Sequence, residues 1–286
     1  MEPLVIILVL CAAVMHAVWN SILKTGTDRL MTMAVVIGVG GFLSPLLIIG
    51  GPPPLPESWF YILLSAAIHC LYFYFLIKAY GVGDLSYAYP LARGSAPLMV
   101  AAGAAFFADE LLSPLEIFAV VLVSAGIISL VLTGRQGSQE GSHRGNWRGL
   151  AYPLLTGLMI AAYTVADGLG VRLSGNPAAY IGWLFLLSAL PILVLAIHRR
   201  RADALVFMRH HWRPALGGGV LAFSAYSLAI WALSLGAMVH VSALRETSVV
   251  IAALIGTHLL GEPHGARRLL SAAIVAGGVI LLHLAA

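Results

Sequence analysis

Apolar residues run along this chain in long unbroken blocks, unlike the alternation of a half-buried strand or the one-sided stripe of a surface helix. A helix needs about 20 apolar residues to cross the hydrocarbon of a bilayer. Ten blocks meet that length: 4–23, 30–50, 58–77, 84–107, 114–133, 149–171, 177–197, 214–235, 238–260 and 267–285. The connectors are short, so little of the chain is expected outside the membrane. The two longest are 134–148, polar and Gly/Ser-rich as a flexible linker is, and 198–213, basic as a surface loop against anionic lipid is. Ser113-Pro114-Leu115-Glu116 reads as a capping box with proline at the first helical position, a specific start signal for the fifth span. The first block follows Glu2 with no basic residue and exceeds a signal-peptide core, so it is expected to be a retained spanning helix.

Laid upon itself, the chain shows an internal repeat. Shifted by 152 residues, Arg93 falls on Arg245, Glu110 on Glu262 and Gly126 on Gly278. Shifted by 153, Ala79 falls on Ala232 and Gly83 on Gly236, so one indel separates the two registers. The expected organisation is a first five-helix repeat over 1–133, a linker over 134–148 and a second five-helix repeat over 149–286. An odd number of spans per repeat makes the second enter the membrane from the opposite side, so the repeats are inverted. Charge agrees. The odd-numbered loops hold Lys24, Arg29, Lys78, Arg135, Arg144, Arg148, Arg199 to Arg201, Arg209, Arg213, Arg267 and Arg268, while the even-numbered loops hold only Arg172. The positive-inside rule then puts the odd loops in the cytoplasm and both termini outside.

Composition narrows the class. Of 286 residues, 60% are hydrophobic and 10% charged, against roughly 25% charged in an ordinary soluble domain. Such a surface has to face lipid: an all-α integral membrane protein is expected. The net charge of +4 sits in the loops, so the positive-inside effect accounts for it without a nucleic-acid partner. Cys11 and Cys70 both lie in apolar blocks and offer neither a disulfide framework nor metal-ligand spacing. No nucleophile elbow, phosphate-binding loop or zinc-protease motif occurs, so neither enzymatic chemistry nor a cofactor is expected.

Function is sought where polar groups enter the membrane at a cost, about 2.5–3.5 kcal/mol for a charged side chain. Arg93 and Arg245 lie near the middle of their spans. Arginine cannot discharge by losing a proton. Each therefore requires a carboxylate, backbone carbonyls, cavity water or an anionic solute. One reading makes them structural, bonded to carbonyls or to Asp167; the other has them meet an anionic group in a cavity. Glu246 adjoins Arg245, but neighbouring helical residues point about 100° apart and do not pair naturally. Pro90 and Pro97 remove helical hydrogen bonds around Arg93 and predict a kink there, which the ninth span has no proline to match. His16, Trp19 and Asn20 share a face of the first span, lining a cavity or bonding a neighbouring helix. Tyr72, Tyr163 and Tyr226 are candidate ligand contacts, with aromatic packing as the alternative. Small residues at 101–105 and 272–278 permit close helix approach, within a monomer or across a homodimer.

These features together resemble the EamA family of the drug/metabolite transporter superfamily: two five-span halves, Lys78-Ala79-Tyr80 ending the third span, and Asp109-Glu110 and Gly261-Glu262 closing the fourth and ninth. His16-Ala17-Val18-Trp19-Asn20 resembles a subset of bacterial members. The resemblance implies a helical bundle with a central cavity and alternating access. The expected role is that of a secondary transporter in the inner (cytoplasmic) membrane, exporting a small anionic or zwitterionic, amino-acid-like metabolite. Export of cationic or aromatic drug-like compounds is the alternative reading, and a channel or sensor a further one. The expected partners are the solute and the lipid bilayer.

Overall fold

The computed structural model describes residues 2–25, 29–82, 85–134, 147–258 and 266–285. Most of the expected linker, the Gly261-Glu262 motif, and the expected basic residues Arg135 and Arg144 lie outside the described residues. Among the described residues the chain is helical between short turns, with no strand. The helices are α1 (Pro3–Thr25), α2 (Arg29–Ile49), α3 (Trp59–Val82), α4 (Leu85–Phe107), α5 (Pro114–Gly134), α6 (Trp147–Leu173), α7 (Pro177–Leu235), α8 (Met238–Arg245), α9 (Thr247–His258) and α10 (Ala266–Ala285).

Six described stretches are long and apolar enough to cross a membrane, and Pro114–Leu130 and Leu270–Ala285 are shorter apolar helices. Their outer faces carry bulky apolar side chains in the open: Phe42 is 83% exposed, Ile49 82% and Leu284 77%. In water that much bare hydrocarbon would drive association; against lipid it costs nothing.

Two spans depart from the sequence pattern. The stretch 198–213, expected as a surface loop, has helical backbone, and a single helical element runs from Pro177 to Leu235. It is not one straight rod. The Phe185 and Phe223 rings meet at a tilt with centroids 4.7 Å apart, whereas 38 residues of straight helix would separate them by about 57 Å. The chain therefore folds back inside the element. Pro214 lies on its return leg, where a missing N–H permits a sharp bend. The stretch 238–260, expected as the ninth span, divides into α8 and α9, with Glu246 between them.

The chain forms two compact units. Unit 1 comprises Met1–Ile6, Leu71–Val165 and Gly236–Ala286; unit 2 comprises Ile7–Cys70 and Ala166–Leu235. In unit 2, α2 packs on α7 through small residues: a side chain at Gly41 would meet Ala189 and one at Gly219 would meet Val39. In unit 1, α5 packs on α10 around Val123, Ile127, Val249 and Val275. The contact is reciprocal. A Cβ at Gly126 would lie 2.8 Å from the Val275 side chain, and one at Gly278 would lie 2.8 Å from that of Val123. At the 152-residue shift these are the same contact made twice, since Gly126 corresponds to Gly278 and Val123 to Val275.

Candidate functional site

Unit 1 is built to hold the short helix α8 in place. Where α4 ends, Asp109 adopts a left-handed conformation (φ 53°), tolerable because aspartate is among the few side chains that visit it. The turn brings the Glu110 carboxylate to the start of α8, where it accepts the Met238 N–H at 2.8 Å. A negative group is favoured there by the unsatisfied N–H groups of the first turn. The capping box read from the sequence is present: the Ser113 N–H donates to Glu116 (2.7 Å) and the Glu116 N–H to the Ser113 hydroxyl (3.3 Å). The other Glu116 oxygen lies 3.1 Å from Nε2 of His240 on α8. Glu110 thus holds the first turn of α8, with Glu116 beside His240, and the far end of α8 delivers Arg245 and Glu246.

At that end the α-helical ladder tightens. The Glu246 N–H donates to the Ala243 carbonyl, three residues back, and the Glu246 carbonyl accepts the Val249 N–H, again three residues away. Such short-reach bonds mark a local 3₁₀ turn. The interruption falls in the expected ninth span, which has no proline, while α4 remains helical through Pro90 and Pro97. The polar break faces α4, at Glu246.

Arg93 on α4 meets that break. Its Nε donates to Glu246 Oε2 at 3.1 Å and its Nη2 lies 2.9 Å from Oε1. The guanidinium fork therefore engages both carboxylate oxygens, the strongest geometry open to such a pair. Arg93 is 5% exposed and Glu246 2%. Arg245 is buried as well and acts on the Glu246 carboxylate by charge. Tyr89, Tyr163 and Tyr72 stand close enough to Arg93 to interact with its charge, and the Tyr72 and Tyr163 rings meet edge to face at 5.6 Å. Of the carboxylates weighed from sequence, it is Glu246 and not Asp167 that holds Arg93.

Glycines explain why the centre is lopsided. At the 152-residue shift Glu246 falls on Gly94. A Cβ at Gly94 would lie 2.7 Å from Ile128 Cγ1 and 3.2 Å from the Ser124 carbonyl of α5, so no acid fits there. On another side of α4, Gly157 of α6 sits against Ser95 and the Ala92 carbonyl, closing the helix in beside Arg93.

Unit 2 holds a second polar centre. Asp167 of α6 is fully buried and accepts hydrogen bonds from the hydroxyls of Tyr180 (3.0 Å) and Tyr226 on α7. Ser65 and His69 of α3 also interact with it. The His69 ring meets that of Tyr226 edge to face at 5.4 Å. Tyr226, expected as a ligand contact, is thus bonded to a buried acid. His16, Trp19 and Asn20 bond along their own helix: the Trp19 N–H donates to His16 Nδ1 (3.2 Å) and the Asn20 amide to the His16 carbonyl (2.7 Å). The nine expected contact residues therefore divide, with Arg93, Arg245, Glu246, Tyr72 and Tyr163 in unit 1 and His16, Trp19, Asn20 and Tyr226 in unit 2. Among the described residues no cluster suited to a metal ion occurs.

Comparison with known proteins agrees with the sequence resemblance. Residues 147–284 match the EamA-like transporter family. No curated protein matches the chain. A protein of known crystal structure shares the fold with a TM-score of 0.75 at 15% identity, over 99% of this chain and 98% of that one.

Proposed function

We propose that the chain is a secondary transporter of a small anionic or zwitterionic solute held at Arg93, Arg245 and Glu246, a reading supported by the match of residues 147–284 to the EamA-like transporter family. One observation carries the proposal: a buried arginine–glutamate pair beside a second buried arginine, at the break between α8 and α9. Arginine keeps its charge in any environment, so these three groups bring two positive charges and one negative. A carboxylate, phosphonate or phosphate on the solute fits that balance. Tyr72, Tyr89 and Tyr163 stand around it, and their ring faces would meet an amine on the same solute. A purely cationic solute fits less well, because Glu246 is already engaged by Arg93.

The wider plan proposed is ten spans in two inverted repeats, over 1–133 and 149–286, working by alternating access in the cytoplasmic membrane, with export as its direction and both termini outside. The reciprocal Gly126–Val275 and Gly278–Val123 contacts support it, because a pseudo-two-fold axis makes repeat-related residues contact each other in matched pairs. The Arg93–Glu246 pair fits the same axis, since Glu246 neighbours the repeat mate of Arg93.

The test is binding. Purified protein is titrated with an amino acid, an aminoalkyl phosphonate and a quaternary ammonium ion. The acid or zwitterion should bind, and Arg245→Gln should weaken it tenfold or more, as loss of a charge-assisted hydrogen bond of about 1.5–3 kcal/mol requires. Arg245→Lys should restore part of the affinity, keeping the charge but losing the planar fork. Binding of the quaternary ammonium ion alone, unaffected by Arg245→Gln, would favour the cation reading.

A further inference from the structure

The two buried carboxylates differ in their counter-charge. Glu246 faces arginines, which do not discharge. Among the described residues the groups acting on Asp167 are Tyr226 and Tyr180 from α7, and Ser65 and His69 from α3. Tyr61 of α3 lies next in line, through Tyr180. The one cation in that set is a histidine, whose charge comes and goes near neutral pH. The site is also arranged. His69 Nδ1 lies 2.8 Å from the Ser65 carbonyl and 3.3 Å from the Ser65 hydroxyl, so the ring is tied to a residue that also acts on Asp167. Asp167 has two tyrosine hydroxyls turned upon it from α7, and Tyr226 touches both members by packing its ring on His69.

We propose that Asp167 and His69 form a proton-binding site in unit 2, a place where one exchangeable proton is taken up and released. With the proton bound, the pair is neutral overall, as a carboxylic acid beside a neutral imidazole. With the proton gone to water, a single negative charge remains on buried Asp167, held by the hydroxyls of Tyr180, Tyr226 and Ser65. No other atom moves and no bond besides the O–H changes. Two interacting groups of this kind titrate as one unit. Tyr226 is the positioning residue, since its hydroxyl is committed to the carboxylate while its ring supports the imidazole. The site stands without a solute; its use in coupling proton movement to transport rests on the transporter reading above.

The experiment therefore uses no solute. Infrared difference spectra of the full-length purified protein are recorded between about pH 5 and pH 9, the range in which histidine changes charge. A pH-dependent carboxyl C=O band is expected in the wild type. It should be lost in Asp167→Asn, shifted in frequency in Tyr226→Phe (which removes one hydrogen bond and keeps the ring) and moved along the pH axis in His69→Gln. Glu246→Gln should leave it in place. If Asp167→Asn does not fold, the Tyr226→Phe and His69→Gln spectra decide. A wild type without such a band, or a band untouched by these three substitutions, would overturn the proposal while leaving the Arg93–Arg245 reading intact. A failed solute screen would in turn leave this band intact.

Discussion

Arg93→Gln should destabilise the purified protein by about 3–5 kcal/mol, the usual cost of stranding one member of a buried ion pair. The reason is local. Glu246 is 2% exposed and both its oxygens are engaged by the Arg93 fork. Glutamine can reach at most one of them and brings no charge. The double variant Arg93→Gln/Glu246→Gln should recover most of the loss, because it removes the stranded charge together with its partner. Arg245 lies beside the same carboxylate and would take over part of the pairing in the single variant, so the lower end of the range is the firmer expectation. Denaturant unfolding in detergent, run as a double-mutant cycle, reads the coupling directly. Additive losses, with no recovery in the double variant, would show that the pair does not stabilise the fold.

Gly278→Leu and Gly126→Leu should each destabilise by several kcal/mol, and by similar amounts. Overpacking a tight contact usually costs about 1–3 kcal/mol, but here the obstruction includes backbone. A Cβ at Gly278 would lie 2.9 Å from the Val123 nitrogen, and one at Gly126 would lie 3.0 Å from the Val275 nitrogen. Main chain cannot swing aside as a side chain can, so α5 and α10 would have to separate. The neighbouring glycine supplies the control. Nothing lies within 4 Å of a Cβ at Gly277, so Gly277→Ala should be neutral or mildly stabilising through better helix propensity. Thermal unfolding of the three variants measures all of this at once. A tolerated Gly278→Leu would mean that the α5–α10 contact is looser than described, and unequal losses at Gly126 and Gly278 would weaken the two-fold argument.

What the sequence made legible follows from what is periodic in it. Long apolar blocks predict helices of membrane length without any tertiary knowledge, and the Ser113–Glu116 box predicts its own hydrogen bonds because both partners lie within one turn. Arg93 and Arg245 stood out because charge in an apolar block is costly. The Arg93–Glu246 pair did not stand out, because 153 residues separate its members and no local rule joins them. The same holds for Asp167, whose tyrosine partners come from both legs of α7. The break at Glu246 has no local signature: proline is the visible cause of helix disruption, and this break falls in an apolar block that has none, at a residue engaged by an arginine. The fold-back inside α7 likewise leaves no polar loop signature, since the basic stretch 198–213 can itself be helical.

The central claim, that a solute bearing an anionic group is carried and is held at the paired arginines, is tested most directly by counterflow. Purified protein in liposomes is preloaded with an unlabelled amino acid or aminoalkyl phosphonate and given a trace of the labelled compound outside. The account predicts saturable exchange for at least one of these solutes, reduced tenfold or more by Arg245→Gln in protein that remains folded. Exchange confined to quaternary ammonium ions and indifferent to Arg245, or a flux that never saturates, would contradict it.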